Sequence, residues 1–295
     1  MSPGGMELPA LVRSARPLVH AITNYATMEW VARGLLAAGA RPVMARDRSE
    51  AALMAGVTGA LVLNLGTWSP EVEAAMLIAG RTAQGRGIPI VLDPVGAGGM
   101  ATRTRAAREL LEQVQVTVVR GNAGEIMALA GETGHVSGVD STAAGSGLRL
   151  ERAARAVARR YRCVVAVTGA VDLVTDGRSS LTVRAGDPLM AQIPGAGCLA
   201  SGLIGAALAA WQGDRMDGVA QALLWAGWAG EEAARRAAGP GSFAVSYLDA
   251  LAGAAALPAE RISQPLSERL GLYVIVSGTT PLPVVEAVLQ AGCRV

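Results

Sequence analysis

The sequence contains no lysine, and all 26 of its basic residues are arginine. This absence excludes a lysine Schiff base and the lysine that reaches the phosphates in a P-loop. Only two histidines are present. Neither a histidine-based zinc site nor a Ser-His-Asp triad is therefore expected. A nucleotide-binding function would need another way to hold phosphate.

Cysteine and net charge are also low. The three cysteines are odd in number and lack the spacing of metal ligands, which is typical of reduced thiols and predicts a cytoplasmic protein. The formal net charge of +2 gives no electrostatic reason to expect nucleic acid or an anionic membrane as partner. The first residues have no apolar signal core, and the longest apolar runs are too short to span a bilayer.

Short apolar segments alternate with helical segments along most of the chain. Continuous apolar strands of this kind fit a parallel sheet that is covered on both faces, and the intervening helices give the βαβ rhythm. A hairpin turned at Asp176-Gly177 is predicted over 171–186, and the pattern is helical from Cys198 to about Ala256. The predicted strands lie within 18–23, 41–45, 59–67, 88–98, 116–122 and 163–169. The fold class is therefore predicted to be α/β, with a doubly wound, mostly parallel sheet and helices on both faces.

Polar side chains follow these strands at their carboxyl ends, where ligands bind in open parallel sheets. Each signal is weak by itself, since Asp93 can cap a turn before Pro94 and Met44 can be a core residue. Their shared position predicts one site. The residues at this edge are Thr23, Asn24, Met44, Asn64, Thr67, Asp93, Arg120, Asn122 and Thr168.

A glycine loop, "PGAGC" at 194–198, runs directly into an apolar helix rich in small residues. Bare backbone amides at a helix N-terminus form an anion site, so Gly195 and Gly197 are candidate phosphate-contacting positions. Cys198 stands at the mouth of this site. The alternative interpretation is that Cys198 is a small buried hydrophobic residue.

Taken together, these segments resemble the hydroxyethylthiazole kinase family of the ribokinase-like superfamily. "AITN", "LDPVGAG", "RGN" and "GAGC" occur jointly, in the family's order, between about residues 17 and 250. The resemblance implies a ribokinase-like fold and ATP- and Mg²⁺-dependent phosphorylation of the hydroxyl of 4-methyl-5-(2-hydroxyethyl)thiazole in thiamine salvage or biosynthesis. It also implies a homotrimer with its sites at the subunit interfaces.

The same resemblance implies roles for individual residues. Contacts to the thiazole are implied for Asn24, Met44 and Gly195. Contacts to ATP are implied for Arg120, Asn122, Thr168 and Gly197.

Metal and acid–base roles are also implied. The segment 122–125 is similar to the superfamily's N-x-x-E element, which implies that Glu125 lies near Mg²⁺ and phosphate, with Asp93 as a second candidate. Related kinases place an Asp or Cys where Cys198 stands, which implies a general base for the substrate hydroxyl. We expect the helix N-terminus to lower the pKa of this thiol. A neutral thiol that only positions the hydroxyl is the alternative.

Pro194 departs from the family pattern, because a threonine usually precedes the Gly-x-Gly-Cys. Proline removes both a hydroxyl and a backbone donor, which predicts weaker phosphate binding or a lower rate. Three alternative functions stay open: a hydroxymethylpyrimidine-type kinase, an ATP-dependent hydrate dehydratase, and a thiazole-binding protein with weakened catalysis.

The tail, "GLYVIVSGTTPLPVVEAVLQAGCRV", has the pattern of a strand, a turn and a helix. It resembles the first βα unit of thiamine-phosphate synthase, a TIM-barrel enzyme. We therefore predict a kinase domain over 1–256, a linker over 257–270 and a truncated first βα unit of such a barrel over 271–295. The alternative is an ordinary C-terminal strand and helix of the kinase.

Overall fold

The segments predicted as strands form one sheet in the computed structural model, which describes residues 7–132 and 144–265. The strands of this part of the chain are β1 (Leu18–Ile22), β2 (Arg41–Val43), β3 (Ala60–Asn64), β4 (Ile90–Asp93), β5 (Val118–Asn122), β6 (Val164–Thr168), β7 (Asp172–Thr175), β8 (Ser180–Val183) and β9 (Ile262–Ser263). Their order in the sheet is β2-β1-β3-β4-β5-β6-β7-β8-β9. The pairs from β2 to β6 are parallel, and those from β6 to β9 are antiparallel.

Helices lie on both faces of this sheet. They are α1 (Leu8–Ala15), α2 (Met28–Ala37), α3 (Arg48–Val57), α4 (Pro70–Gly85), α5 (Ala101–Gln113), α6 (Ala123–Ala130), α7 (Ala144–Tyr161), α8 (Ala196–Ala210), α9 (Arg215–Ala234) and α10 (Pro240–Gly253). One buried core joins the sheet to α1, α2, α8, α9 and α10, and a second joins it to α3 through α7. The predicted doubly wound α/β fold is confirmed.

Successive side chains along the central strands belong to the two hydrophobic cores in turn. Val62 of β3 belongs to the core with α8, whereas Leu61 and Leu63 belong to the core with α4. Successive strand side chains point to opposite faces, so a strand covered on both faces must be apolar at every position. This requirement explains the continuous apolar run in β3.

Small residues let α8 lie close against the sheet. A Cβ at Gly205 would lie 3.1 Å from Cγ2 of Val62, and a Cβ at Gly202 would lie 3.4 Å from Cδ2 of Leu35 in α2. The helix is buried along most of its length. Its N-terminus thereby reaches the edge where the parallel strands end.

The predicted hairpin is also confirmed. Oδ1 of Asp176 accepts hydrogen bonds from the backbone N–H groups of Arg178 and Ser179, both at 2.8 Å. Gly177 has a φ of +89°, in the left-handed region that glycine adopts without strain.

Helix α1 and strand β9 are not among the sequence predictions. Residues 262–263 lie within the predicted linker, yet they pair with Thr182 and Val183 of β8, and Leu257 is buried. The described part of that linker, 257–265, therefore extends the sheet. The βα unit predicted at 271–295 lies outside the described residues, and the division into domains stays a prediction.

No helix within residues 7–132 and 144–265 is long and apolar enough to cross a membrane.

Candidate active site

The carboxyl ends of the parallel strands and the N-terminus of α8 meet at one edge of the sheet, as predicted. Asn24 follows β1, Asn64 and Asp93 end β3 and β4, and Arg120 lies in β5. Asn64 is hydrogen-bonded to Asn24, Asp93 and Cys198, and Asn24 is also hydrogen-bonded to Cys198. An ion pair joins Asp93 to Arg120, which donates a hydrogen bond to Thr168.

Met44 is not a member of this hydrogen-bonded network. It directly follows β2 at the same edge of the sheet, half-buried, and packs against the core formed with α8 and α2.

Cys198 receives hydrogen bonds from two asparagine amides. Nδ2 of Asn24 lies 3.4 Å from the sulfur and Nδ2 of Asn64 lies 3.3 Å from it. Nδ2 of Asn24 also donates to Oδ1 of Asn64 at 3.1 Å, and Oδ1 of Asn24 accepts from the backbone N–H of Thr27 at 3.1 Å. The thiol is thus held by side chains from two different strands.

The pKa of Cys198 differs from the sequence prediction. Burial raises the pKa of the thiol, and the carboxylate of Asp93 raises it further, whereas the side chains of Thr27 and Asn64 act in the opposite direction. The expectation of a lowered pKa for this thiol is therefore wrong. Desolvation penalises the thiolate, so the thiol form is favoured at neutral pH.

Asp93 is fully buried. Its Oδ2 accepts hydrogen bonds from Nδ2 of Asn64 at 2.8 Å and from the hydroxyl of Ser201 at 2.9 Å. Among the described residues, none donates a hydrogen bond to Oδ1, and Nη1 of Arg120 lies 3.8 Å from it. Burial raises the pKa of Asp93, and the guanidinium of Arg120 opposes that rise. One oxygen of a buried carboxylate is thus available to a further ligand.

Arg120 crosses the first turn of α8. Its Nη2 donates a hydrogen bond to the hydroxyl of Thr168, which brings together two residues expected to contact ATP. A Cβ at Gly197 would lie 2.5 Å from Nη1 of Arg120. The guanidinium therefore reaches this position because residue 197 has no side chain.

Gly195 is the N-cap of α8, with a φ of +90°. A Cβ at this position would lie 2.6 Å from Cβ of Thr27 and 3.2 Å from Cδ1 of Trp30. The first amides of a helix have no carbonyl partner within it. The helix N-terminus predicted at 195–197 is confirmed, and its Gly195 end faces the side chains that follow Asn24. Not every amide there is bare, because the N–H of Ala196 donates to the carbonyl of Ile193 at 3.4 Å.

Glu125 and Asn122 form a capping box at the start of α6. The N–H of Asn122 donates to Oε2 of Glu125 at 2.8 Å, and the N–H of Glu125 donates to Oδ1 of Asn122 at 2.9 Å. Oε1 of Glu125 accepts from the N–H of Gly96 at 3.0 Å. Burial raises the pKa of Glu125, and the charge of Asp93 raises it further. Both carboxylates are thus close enough to influence one another.

The described residues contain no cluster of three or more His, Cys, Asp or Glu that could hold a metal ion. Mg²⁺ does not need such a cluster, because it binds through one or two carboxylates and completes its shell with water and substrate phosphates. Oδ1 of Asp93 lacks a hydrogen-bond donor, and each oxygen of Glu125 keeps one lone pair beyond its bond to a backbone amide. This donor set fits Mg²⁺ bound together with phosphate.

Two members of the network have no role in the sequence prediction. Asn64 belongs to the strand-end residues, but its position gives no sign of how many partners it has. Ser201 follows Cys198 by three residues, so the helical period places both on one face of α8. That spacing is the signal that could have identified Ser201.

Residues 10–256 match the model of the hydroxyethylthiazole kinase family. The chain belongs to this family. It is 48% identical over 242 residues to the hydroxyethylthiazole kinase of Oleidesulfovibrio alaskensis, which covers 82% of this chain and 90% of that protein. The family predicted from the sequence motifs is confirmed.

A longer relative carries two activities in its name. The chain is 67% identical over 297 residues to the thiamine biosynthesis bifunctional protein ThiM/ThiE of Symbiobacterium thermophilum. This similarity covers 97% of the chain and 62% of the relative. The chain therefore spans less than two thirds of the length of that protein.

Solved structures agree on the fold. The hydroxyethylthiazole kinase of Pyrococcus horikoshii superposes with a TM-score of 0.79 at 37% identity, over 88% of this chain and 97% of that one. A ribokinase-like superfamily protein of Enterococcus faecalis superposes with a TM-score of 0.57 at 11% identity, over 85% and 90% of the two chains. The second likeness concerns the fold alone, and the predicted ribokinase-like fold is confirmed.

Proposed function

We propose that this chain transfers the γ-phosphoryl group of ATP to the hydroxyl of 4-methyl-5-(2-hydroxyethyl)thiazole in thiamine biosynthesis. The observation that carries the proposal is the family match over 10–256. The convergence of Asn24, Cys198 and Arg120 at the N-terminus of α8 supports it. Asn24, Met44 and Gly195 are the proposed thiazole contacts.

Phosphoryl transfer requires mainly alignment and neutralisation of charge on the phosphate oxygens. The amides at the start of α8, including that of Gly197, and the guanidinium of Arg120 would supply this field. Thr168, which accepts a hydrogen bond from Arg120, and Asn122 at the end of β5 complete the proposed ATP contacts. The absence of lysine leaves this work to arginine and backbone amides.

Asp93 and Glu125 are the residues that would hold Mg²⁺. The ion would neutralise the phosphate charge during transfer. Asp93 offers an oxygen without a hydrogen-bond donor, while Glu125 is fixed in place by the amides of Gly96 and Asn122. These carboxylates serve the metal only when ionised, so protonation at low pH would weaken metal binding.

Cys198 is proposed to contact the substrate hydroxyl as a neutral thiol. A general base would need the thiolate, which burial and the nearby Asp93 disfavour. Phosphoryl transfer through a loose transition state places little demand on early proton removal. A thiol held by two amides can therefore orient the hydroxyl without first losing its own proton.

A homotrimer with sites at the subunit interfaces is also proposed. Large apolar side chains are exposed on the two helices that flank the edge strand β2, namely Leu36 on α2 and Leu53 and Val57 on α3. Tyr25, directly after Asn24, is 72% exposed. Exposed apolar surface on the β2 side of the sheet fits burial against another subunit. Sedimentation analysis would give the mass of the assembly.

We further propose that residues 271–295 begin a second domain of the thiamine-phosphate synthase type. The bifunctional relative matches 97% of the chain, so the similarity continues past the kinase domain into this tail. The activity of any such second domain would belong to a longer protein.

The kinase proposal is tested with purified protein, Mg²⁺-ATP and hydroxyethylthiazole, with the phosphorylated thiazole detected by mass spectrometry. Hydroxymethylpyrimidine and a hydrate substrate are run in parallel. Arg120→Met should remove most of the turnover, whereas Arg160→Gln, at a half-exposed position of α7, should not. Folded wild-type protein that consumes ATP only with another substrate, or binds the thiazole without turnover, would overturn the proposal.

A further inference from the structure

We propose that Asn64 is a positioning residue that fixes Asn24, Cys198 and Asp93 in one arrangement. The inference rests on the proposed kinase reaction for its catalytic consequence. Its geometric content, that the Asn64 amide bonds both the Cys198 thiol and the Asn24 amide that also bonds this thiol, can be measured without any substrate.

The amide of Asn64 uses its full hydrogen-bonding capacity. Nδ2 donates to Oδ2 of Asp93 at 2.8 Å and to the sulfur of Cys198 at 3.3 Å. Oδ1 accepts from Nδ2 of Asn24 at 3.1 Å and from the backbone N–H of Gly66 at 2.9 Å. A primary amide has two N–H donors and two lone pairs on its oxygen, and all four find a partner here.

This arrangement also fixes the orientation of the amide. Rotating it by 180° would direct N–H groups at the two donors, Asn24 and Gly66, and would direct the carbonyl oxygen at the carboxylate of Asp93. Both changes replace attraction by repulsion in a site that is almost free of water, since Asn64 is 2% exposed. The position therefore requires two donors on one side and an acceptor on the other. An ionised aspartate has no donor, serine has only one, and leucine has neither donor nor acceptor.

The turn after β3 is shaped to accommodate this contact. A Cβ at Gly66 would lie 2.6 Å from Cβ of Asn24, so the missing side chain leaves room for Asn24 to reach Asn64. The same glycine supplies the N–H that Oδ1 of Asn64 accepts. The end of β3 thus holds three groups in place. They are Asn24, a proposed thiazole contact, Cys198, the thiol proposed to contact the substrate hydroxyl, and Asp93, a proposed metal ligand.

The test compares Asn64→Asp and Asn64→Ser with Thr58→Val. Thr58 precedes β3 at its opposite end, is buried, and bonds only to backbone groups of His20, Leu18 and Ala60. It is a matched control for the loss of buried hydrogen bonds near the other end of β3. Each variant is made in a Cys163→Ala, Cys293→Ser background so that Cys198 is the only thiol, and thermal unfolding reports whether it folds.

The substrate-independent readout is the pH midpoint of Cys198 alkylation by iodoacetamide. Asn64→Ser removes a donor to the sulfur, and Asn64→Asp also adds negative charge, so the midpoint should move to higher pH in that order. A shift of one unit corresponds to a tenfold loss of thiolate at a given pH. Thr58→Val should leave the midpoint unchanged. The midpoint is compared rather than the rate, because a smaller side chain also admits more reagent.

In the kinase assay, the Asn64 variants should lose roughly a hundredfold in kcat, the size expected when reacting groups are misplaced by about 1 Å. Their KM for ATP should change little. If the wild type shows no turnover but the Asn64 variants shift the pH midpoint of Cys198 alkylation, the proposed function is wrong and the inference about Asn64 is supported. An active wild type whose Asn64 variants keep both kcat and midpoint would overturn the inference.

If neither Asn64 variant folds, a measurement on the wild type decides. The side-chain NH₂ protons of a fully bonded, buried amide exchange slowly with water, and their NMR signals should shift when hydroxyethylthiazole binds. Rapid exchange, or no shift at saturating thiazole, would overturn the inference.

Discussion

Arg120 and Gly197 form a pair in which the missing side chain of one makes room for the charge of the other. The guanidinium lies over the first turn of α8, where a Cβ at residue 197 would stand 2.5 Å from Nη1. From that position the same group reaches the hydroxyl of Thr168 and the carboxylate of Asp93. Gly197 in the first turn of α8 therefore determines the position of Arg120 as well as the exposure of the backbone.

Gly197→Ala should consequently separate stability from ATP binding. The displaced atoms are the far end of a flexible side chain, so the folded state loses little, and alanine within a helix is favoured over glycine by up to about 1 kcal/mol. We expect an unchanged or slightly higher unfolding temperature and a KM for ATP raised roughly tenfold or more, since a charge-assisted contact is worth about 1.5–3 kcal/mol.

Gly202→Ala is the matched control for this substitution. It lies in the same helix, and its Cβ would make an ordinary contact of 3.4 Å with Leu35. It should leave the KM for ATP unchanged. Equal ATP kinetics in the two variants would show that the position of Arg120 does not depend on Gly197.

Cys198→Ala tests the proposed role of the thiol. Removing a general base lowers kcat by about 10²- to 10⁴-fold. For a neutral thiol that orients the hydroxyl, we expect a smaller loss, of roughly tenfold, and little change in the KM for thiazole. Cys198→Asp should retain activity, because the amides of Asn24 and Asn64 that bond the sulfur can donate equally to a carboxylate.

Cys163→Ala controls for the loss of a cysteine elsewhere in the core. Cys163 directly precedes β6, and burial raises the pKa of its thiol to about 12. This variant should keep wild-type kinetics. Full activity of Cys198→Ala would mean that the thiol has only a structural role.

Glu125→Gln tests the metal proposal. The amide keeps the length of the side chain but removes its charge, so the Mg²⁺ concentration for half-maximal rate should rise while thiazole binding, followed by calorimetry, stays nearly intact. Gln also loses one of the two acceptors for the N–H groups of Gly96 and Asn122. A decrease in stability of about 1–3 kcal/mol should accompany the substitution. An unchanged Mg²⁺ dependence would assign the metal to Asp93 alone.

The parts of the site that follow from local pattern were predictable. Strand ends, the glycine N-cap at Gly195 and the placement of Asn24, Asp93 and Arg120 at one edge all follow from the βαβ order. The pKa of Cys198 was not predictable in this way, because it depends on burial and on a charge from a distant segment. Burial and the charge of Asp93, brought in from β4, raise this pKa.

Two other features lay beyond the reach of pattern. Strand β9 has two residues and no alternation to detect, and it forms only because β8 offers an open edge. The position of Asn64 in the network depends on one partner in the adjacent turn and on three partners from three other segments. A single asparagine at a strand end carries no sign of that number.

Asp172 supplies a prediction about stability and pH. This buried residue begins β7 and accepts the backbone N–H of Gly169 at 3.0 Å. Burial raises its pKa from 3.8 to about 6. Between pH 3.8 and about 6, the carboxyl of Asp172 is protonated in the folded state and ionised in the unfolded state. The contribution of Asp172 to the free energy of unfolding is therefore fully present below pH 3.8 and is lost as pH rises through about 6.

Asp172→Asn should remove the loss of stability that Asp172 causes as pH rises. The side-chain carbonyl can still accept the N–H of Gly169, and no charge remains to be desolvated. Above pH 6 the free energy of unfolding should rise by up to about 3 kcal/mol, the equivalent of the pKa shift, and near pH 4 the variant and wild type should differ little.

Asp176→Asn, in the same hairpin, is the control, because the pKa of Asp176 shifts in the opposite direction. Backbone amides of Arg178 and Ser179 lower the pKa of Asp176, so its contribution is present at neutral pH and is lost on acidification. Denaturant unfolding at a series of pH values measures both, and a wild type and Asp172→Asn pair that stay parallel across pH 4 to 8 would contradict the raised pKa.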